Sequence, residues 1–537
     1  MRQLLWPGML LAALLVGALL RLPGLAAAYP YLNYVDEGHV LHPVVGSLRG
    51  MPWHPDMSAY PVLPGRTIGA ATRLVALALD PFRAEPLLGG LPPFRVYDEV
   101  RPPEVLLVAR VLSLLVSLGT ILCIGLLGRR LAGDAGGAVA AFAAAMLPAL
   151  LVRGTIVAVD GYAAFFVVAA LLLVAGVERP DQLLRIAGAG VCSGCAVVSK
   201  YPSGLVGIAV VTVFAFAPWP WVARLRAAAI AGAAGAVAAG AIMPTLWREP
   251  MALWQRLQWI EGLYSTLKGD SYWRQAFVRG QADLPLPYPE VGAVFALWAL
   301  AGVALLVASP RWRRFGVALV VFAVLLMAFC STYSWTPFRN LLSLAAVACV
   351  AAGYAAGRLA ERLQRAGLVA GAAIAFLLVW FAPPARHFVA ERRGLVDSRH
   401  QAAEWIAARR PTGRVLVQTT VAMARSDLAR LGSRAREASW PQIERQALRR
   451  PPQFVVIGDL VRTTDLEPLI DPAQLRRLQD RYRVAATFGD HQSFSDSWTW
   501  RTNRLRVVVL ERWSPERRRG GAGDPEPAGP AGEASPP

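Results

Sequence analysis

Lysine is nearly missing from this chain: among 55 basic residues only Lys200 and Lys268 are lysines. Charge of either sign is scarce, at 17% of 537 residues against 55% hydrophobic content. Soluble domains carry roughly a quarter charged residues, so an ordinary soluble enzyme is excluded and the chain falls in the membrane class. Cysteine is equally thin. All five, at 123, 192, 195, 330 and 349, lie in apolar segments, which argues against a disulfide framework. Cys192-x-x-Cys195 has a zinc-like spacing, but no second Cys/His pair accompanies it and its Gly/Ala-rich surroundings read as helix packing. No internal repeat is present. The net charge of +19 is an arginine excess, and what informs is where those arginines fall.

What the chain does have is a succession of apolar runs, at residues 3–20, 104–127, 135–152, 161–177, 186–199, 202–217, 227–244, 291–308, 315–330, 341–357 and 367–383. Several fall short of the ~20 residues of a full span. The pattern nevertheless predicts an α-helical polytopic membrane protein with about 11 crossings. Ala26-Ala27-Ala28 resembles a signal-peptidase site, but with so many spans following, the first helix is expected to stay uncleaved. Arginines at 129–130, 179 and 185, 224 and 226, 311–314, and 358–365 occupy alternate connections, which places those on the inner face. The N-terminus is then inside, and the first loop (21–103), the 153–160 connection, the long loop 245–290 and the 331–340 connection are outside. Lys200-Tyr201-Pro202 breaks an apolar run too long for one span, because proline disfavours helix at the residue before it. Thr67 to Leu79, short and carrying Arg73, reads as an interfacial helix.

After Pro384 the composition changes. Residues 385–513 alternate amphipathic helix (402–408, 472–481) and short strand (415–419, 454–457, 484–488, 505–510), a small extracytoplasmic α/β domain. Residues 514–537 have too little apolar surface to fold and read as a disordered tail.

The outer face then gathers acids and bases. The first loop supplies Asp36, Glu37, His39, His42, His54, Asp56, Tyr60 and Arg66. Arg153 and Asp160 come from the second connection, Lys200 and Tyr201 from the helix break, Lys268 and Tyr272 from the long loop, and Arg339 from the last connection. A carboxylate takes the proton of an attacking hydroxyl. Lysine and arginine neutralise charge building on a departing phosphate, and a phosphate donor within a membrane is a lipid. Each residue also has an ordinary reading. Asp160 suits a helix N-terminus, Lys200 a snorkelling anchor, Arg339 and the aromatics of 245–290 an interfacial belt, and the histidines plain structural roles.

The chain resembles GT-C fold glycosyltransferases of the family 39 type, related to protein O-mannosyltransferases and bacterial polyprenyl-phosphate-sugar transferases. The resemblance rests on Tyr34-Val35-Asp36-Glu37-Gly38, Tyr60-Pro61, Ala109-Arg110-Val111-Leu112-Ser113, the Pro148…Asp160 spacing, and Gly190…Gly194…Ser199-Lys200-Tyr201. Pro337-Phe338-Arg339-Asn340 and Asp397-Ser398-Arg399…Glu404-Trp405-Ile406 complete it. It implies an inverting transfer of a sugar from a polyprenyl-phosphate donor to an acceptor hydroxyl or amine, in a bacterial inner membrane and without nucleic acid. By resemblance, Asp36 is the general base and Glu37 positions the acceptor or the base. Asp160 shapes the site or holds a metal, and Lys200, Tyr201 and Arg339 grip the donor phosphate. Tyr60, Arg66, Lys268 and Tyr272 are expected in the substrate loops. A divalent metal, if one is used, has Asp36, Asp160 and His39 as candidate ligands. Arg339-Asn340 departs from the commoner Arg-Tyr pairing. The competing functions are a transporter or flippase of lipid-linked glycans and a non-catalytic envelope assembly protein. A transporter is expected to carry polar groups at mid-membrane and a repeat between its halves.

Overall fold

A computed structural model describes residues 2–32, 35–50, 62–83, 86–87, 103–252 with scattered positions to 262, 292–331, 338–393, 396–419, 421, 423–459, 478, 481–489 and 506–512. The chain divides into two compact units, one running to Val396 and the other starting at Asp397.

In the first unit, each of the apolar runs expected to cross the membrane is helical. These are α1 (Arg2–Arg21), α4 (Pro103–Met146), α5 (Pro148–Arg153), α6 (Val159–Ala175), α7 (Leu183–Ser199), α8 (Val206–Ala215) and α9 (Trp221–Ile242), with α10 (Ala293–Ala308), α11 (Arg313–Ser331), α12 (Leu342–Leu363) and α13 (Ala366–Arg393). Among the described residues seven helices, Val62–Phe82 included, are long and apolar enough to cross a membrane, and four shorter apolar ones stand beside them. The span expected at 104–127 and most of that expected at 135–152 are the two halves of α4, separated by a kink at Ala132 and Gly133, where Gly133 takes φ +71°; the rest of the second is α5. Only glycine adopts that conformation freely. The two halves fold back so closely that a Cβ on Gly128 would lie 2.8 Å from that of Ala140. Small residues also let α7 and α9 touch backbone to backbone. A Cβ on Gly190 would meet the Ala231 carbonyl oxygen at 2.1 Å, and one on Gly194 the Gly235 oxygen at 2.2 Å. In lipid, where apolar surface gains nothing by leaving one apolar neighbour for another, such close approach is what drives helix association.

Three findings depart from the sequence reading. The acidic stretch is not a loop: Val35–Leu48 is a helix, α2. Its Val40, Leu41, Val44 and Val45 make a helical stripe buried against Ile68, Val105, Leu106 and Ala109. The interfacial segment is longer than expected; α3 runs Val62–Leu79, and Val62–Phe82 has the length and hydropathy of a crossing helix. Finally, α13 continues through Pro383 and Pro384 to Arg393, beyond the expected division at 384/385.

The second unit is a five-stranded sheet in the order β2-β1-β3-β5-β4, made of β1 (Val415–Gln418), β2 (Ala435–Ala438), β3 (Phe454–Asp459), β4 (Tyr482–Phe488) and β5 (Arg506–Arg512). β1 pairs in parallel with β2 and β3, while β5 runs antiparallel to β3 and β4. Side chains alternate across it, as a period of two requires. Val415, Val417, Phe454 and Val456 pack with Ala402 and Ile406 of α14 (Ser398–Ala408). Leu416, Val455 and Ile457 pack with Ile443 and Ala447 of α16 (Trp440–Arg449). α15 (Arg425–Arg430), α16 and β2 were not expected from sequence. The helix expected at 472–481 and the tail 514–537 lie outside the described residues, apart from Leu478 and Arg481.

Candidate active site

Two buried ion pairs define one end of the helical unit. The first is Glu37 with Arg110, each side chain 1% exposed. Arg110 Nε and Nη2 donate to the two Glu37 oxygens at 3.1 and 3.0 Å. Its remaining donors reach the carbonyls of Leu25 and Ala27 through Nη1 and of Tyr31 through Nη2. One guanidinium on α4 thus ties the returning chain 25–31 and the first turn of α2 to a transmembrane helix. The Val157 amide also donates to Glu37 Oε1 at 3.4 Å, bringing in the segment that leads to α6.

The second pair is Asp160 with Lys200. Asp160 stands in the first turn of α6, 2% exposed. Lys200 is the extended residue that ends α7, with φ −160° and ψ 115° ahead of Pro202. Its Nζ donates to Asp160 Oδ1, to Asn340 Oδ1 at 2.7 Å and to the Arg339 carbonyl at 3.4 Å. The charges of Arg339 and Arg153 act on the same carboxylate. Three connections remote in sequence therefore meet at one group. Asn340 is a direct partner of the lysine. Three residues of chain separate Val157 from Asp160, at most about 11 Å, so both ion pairs share one rim.

The expected site residues are distributed as follows. Asp36 is in the first turn of α2 beside Glu37; its side chain lies outside the described residues, as do Tyr60, Lys268 and Tyr272. His39 is half-buried one turn along α2, and Arg66 is exposed one turn along α3. The Tyr201 hydroxyl lies 3.9 Å from Met243 Sδ, in an apolar cluster with Val62, Leu63 and Val198. Among the described residues no three metal-ligating side chains come together. Asp160 Oδ2 has no hydrogen-bond partner there, but its carboxylate faces Lys200, Arg153 and Arg339. A set of cations does not suit a divalent metal.

Sequence reasoning assigned no role to Arg110 or Arg21, both fully buried. Arg21 Nη1 donates to Gly17 and to Ala145 in the last turn of α4, at 3.0 and 2.9 Å. The available signal was an arginine inside or at the edge of an apolar run, which is tolerated only with partners.

With this geometry in view, residues 104–247 match the family model of dolichyl-phosphate-mannose-protein mannosyltransferases. No curated protein matches the sequence. Among solved structures, ArnT from Cupriavidus metallidurans in the apo state aligns over 95% of this chain and 98% of its own, with TM-score 0.55 and 13% identity. The same protein bound to undecaprenyl phosphate gives 94%, 97%, 0.55 and 12%. The oligosaccharyltransferase AglB from Archaeoglobus fulgidus, with an inhibitory peptide and a dolichol-phosphate, aligns over 85% and 69% at TM-score 0.47 and 14% identity. The chain has the GT-C glycosyltransferase fold.

Proposed function

We propose that this protein is an inverting glycosyltransferase of a bacterial inner membrane, moving a sugar from a polyprenyl-phosphate donor to an acceptor hydroxyl or amine on the extracytoplasmic face. The observation that carries the reading is the meeting, at one rim of a GT-C fold, of the helix bearing Asp36 with the Asp160–Lys200–Asn340 group and the charges of Arg153 and Arg339. Summed, the last four charged groups leave an excess of positive charge, suited to a phosphate.

In the proposed step Asp36 takes the acceptor proton as the acceptor atom bonds to the anomeric carbon. The bond from that carbon to the phosphate oxygen breaks on the opposite side, and the electron pair leaves on the polyprenyl phosphate. Lys200 is held by Asp160, so its role is to fix the phosphate-facing connection with Asn340, and the charges of Arg339 and Arg153 add to the positive field that stabilises the developing charge. Glu37 positions rather than reacts: its carboxylate is engaged by Arg110, which sets the turn carrying Asp36. The buried ion pairs of the helical unit among the described residues lie within the first or last two turns of their helices, which favours an enzyme over a transporter with mid-membrane polar groups.

The test incubates purified protein and Asp36→Asn with radiolabelled polyprenyl-phosphate sugars and membrane extract. Transfer by the native protein and a loss of several orders of magnitude in the variant is the expected result. Equal transfer by both would remove Asp36 from the mechanism, and no transfer with any donor would sink the enzyme.

A further inference from the structure

Helix α6 carries Asp160 in its first turn, and its 17 residues put the other end about 25 Å away. That opposite end is held by arginines from three elements. Arg130 Nε of α4 donates to the Ala175 carbonyl at 3.0 Å, Arg185 Nη1 of α7 to Gly176 at 2.6 Å, and Arg314 Nη2 of α11 to Val177 at 2.9 Å. A Cβ on Gly176 would sit 3.3 Å from both Arg130 Cζ and Arg185 Nη1, so two guanidinium groups flank one backbone atom. Arg311 adds its charge to Arg130.

Neutralisation at this place is incomplete. Glu178 is the carboxylate paired with the cluster, 3.4 Å from Arg130 Nη2 and 68% exposed, while Asp181 in the same connection is taken by Arg179 at 3.6 Å. A helix C-terminus supplies the equivalent of about half a negative charge. Four arginines against one carboxylate and half a charge leave an excess of over two positive charges. The surroundings are amphipathic. Arg314 and Arg311 lie over the rings of Trp219 and Trp312, at 6.0 and 5.0 Å. Next to Arg185, Leu184 is 91% exposed, and the turn holding Trp219 presents Trp221 at 69%. A soluble anion has no use for that apolar border; a lipid with a charged headgroup uses both.

We infer that the arginine cluster at the C-terminal end of α6 is a binding site for an anionic phospholipid, its phosphate taken by Arg185, Arg311 and their neighbours and its acyl chains lying along Leu184 and Trp221. The site lies on the rim opposite the candidate active site and does not depend on the reaction proposed there. Basic pockets between transmembrane helices suit such headgroups, with each surface arginine contributing about fivefold in affinity.

The experiment is native mass spectrometry of the full-length protein after delipidation, titrated with phosphatidylglycerol, phosphatidylcholine or inorganic phosphate. Phosphatidylglycerol should be retained over phosphatidylcholine. Arg185→Gln/Arg311→Gln should weaken its retention roughly 25-fold, two charges at about fivefold each. Arg185→Lys/Arg311→Lys should keep most of it, which separates lost charge from misfolding. Arg365→Gln, outside the cluster, should change it little. No preference between the two lipids, or equal loss in Arg365→Gln, would overturn the site. Displacement of phosphatidylglycerol by inorganic phosphate at matched concentration would overturn the lipid and leave a soluble anion.

Discussion

The Glu37–Arg110 pair offers a measurement that separates a built positioning device from a surface ion pair. Both side chains are 1% exposed, so deleting one partner strands a charge in a low dielectric, a loss of ~3–5 kcal/mol. Arg110→Met also removes the donor from the Leu25, Ala27 and Tyr31 carbonyls, at ~1 kcal/mol each. Arg110→Met/Glu37→Leu keeps that second loss and the loss of the long Val157 amide bond to Glu37, but no buried charge is left behind. The double variant should therefore be more stable than the sum of the single effects by at least ~2 kcal/mol in a double-mutant cycle. Reversible unfolding in mixed detergent and SDS micelles reads this. The Arg129–Asp134 pair, at 2.8 Å but about half exposed on each side, is the control and should couple by less than ~1 kcal/mol. Additivity within ~0.5 kcal/mol at Glu37 and Arg110 would refute the reasoning, for it would mean that the pair is hydrated. In the transferase assay Glu37→Gln should lower kcat about a hundredfold with donor KM little changed, since a displacement of ~1 Å at the reacting centre is enough.

Three further outcomes are expected. Lys200→Met leaves the buried Asp160 carboxylate without its cation and should unfold at lower temperature than Asp160→Asn/Lys200→Met, by tryptophan fluorescence; the reverse order would mean that Asp160 is neutral when buried. Gly194→Ala must push α7 off α9, since the obstacle is the Gly235 backbone oxygen at 2.2 Å, and should cost ~1–3 kcal/mol, whereas Gly232→Ala meets nothing within 4 Å and should be neutral or stabilising. In the second unit, burial pushes the Tyr482 phenol up to about 12, and its hydroxyl donates to the Pro452 carbonyl at 3.0 Å. A raised folded pKa means stability is fully present below the unfolded value near 10 and is lost as pH rises toward 12. The ultraviolet titration difference between native protein and Tyr482→Phe checks this, and ionisation at the ordinary value would contradict it.

The helices were legible because lipid demands long apolar runs, and alternation of short-loop arginines paired their ends. The structure brings Arg130, Arg185 and Arg314 onto one helix end as that alternation requires. Lys200 and Asp160 were legible as candidates, as a break and a helix start. Their bond was not, because 40 residues separate them and nothing local encodes the partner. Val35–Leu48 was missed for a related reason. Its stripe is short, interrupted by His39, His42 and Pro43, and it becomes a helix by packing on Ile68, Val105 and Ala109. β2, with the sequence Ala-Arg-Glu-Ala, has no β-branched residue and is a strand only because β1 offers it a parallel edge. Arg110 was visible as a charge in an apolar run, yet its use depends on three carbonyls of a segment that doubles back beside it.

Whether Asp160 is more than a helix cap is decided by magnitude. A carboxylate at a helix N-terminus gains ~0.3–1 kcal/mol from the macrodipole, and such a cap does its work at the surface, where desolvation is small. Asp160 is 2% exposed, and taking an ionised carboxylate out of water costs several kcal/mol even after relaxation. The dipole alone falls short by a wide margin. The deficit is met by Lys200 and by the charges of Arg153 and Arg339, with Asn340 fixing the lysine from its other side. An acid that needed only to start α6 would not require residues from two other connections, with Arg153 of its own, to offset its burial. That convergence exceeds what a cap needs and suits the phosphate site proposed above.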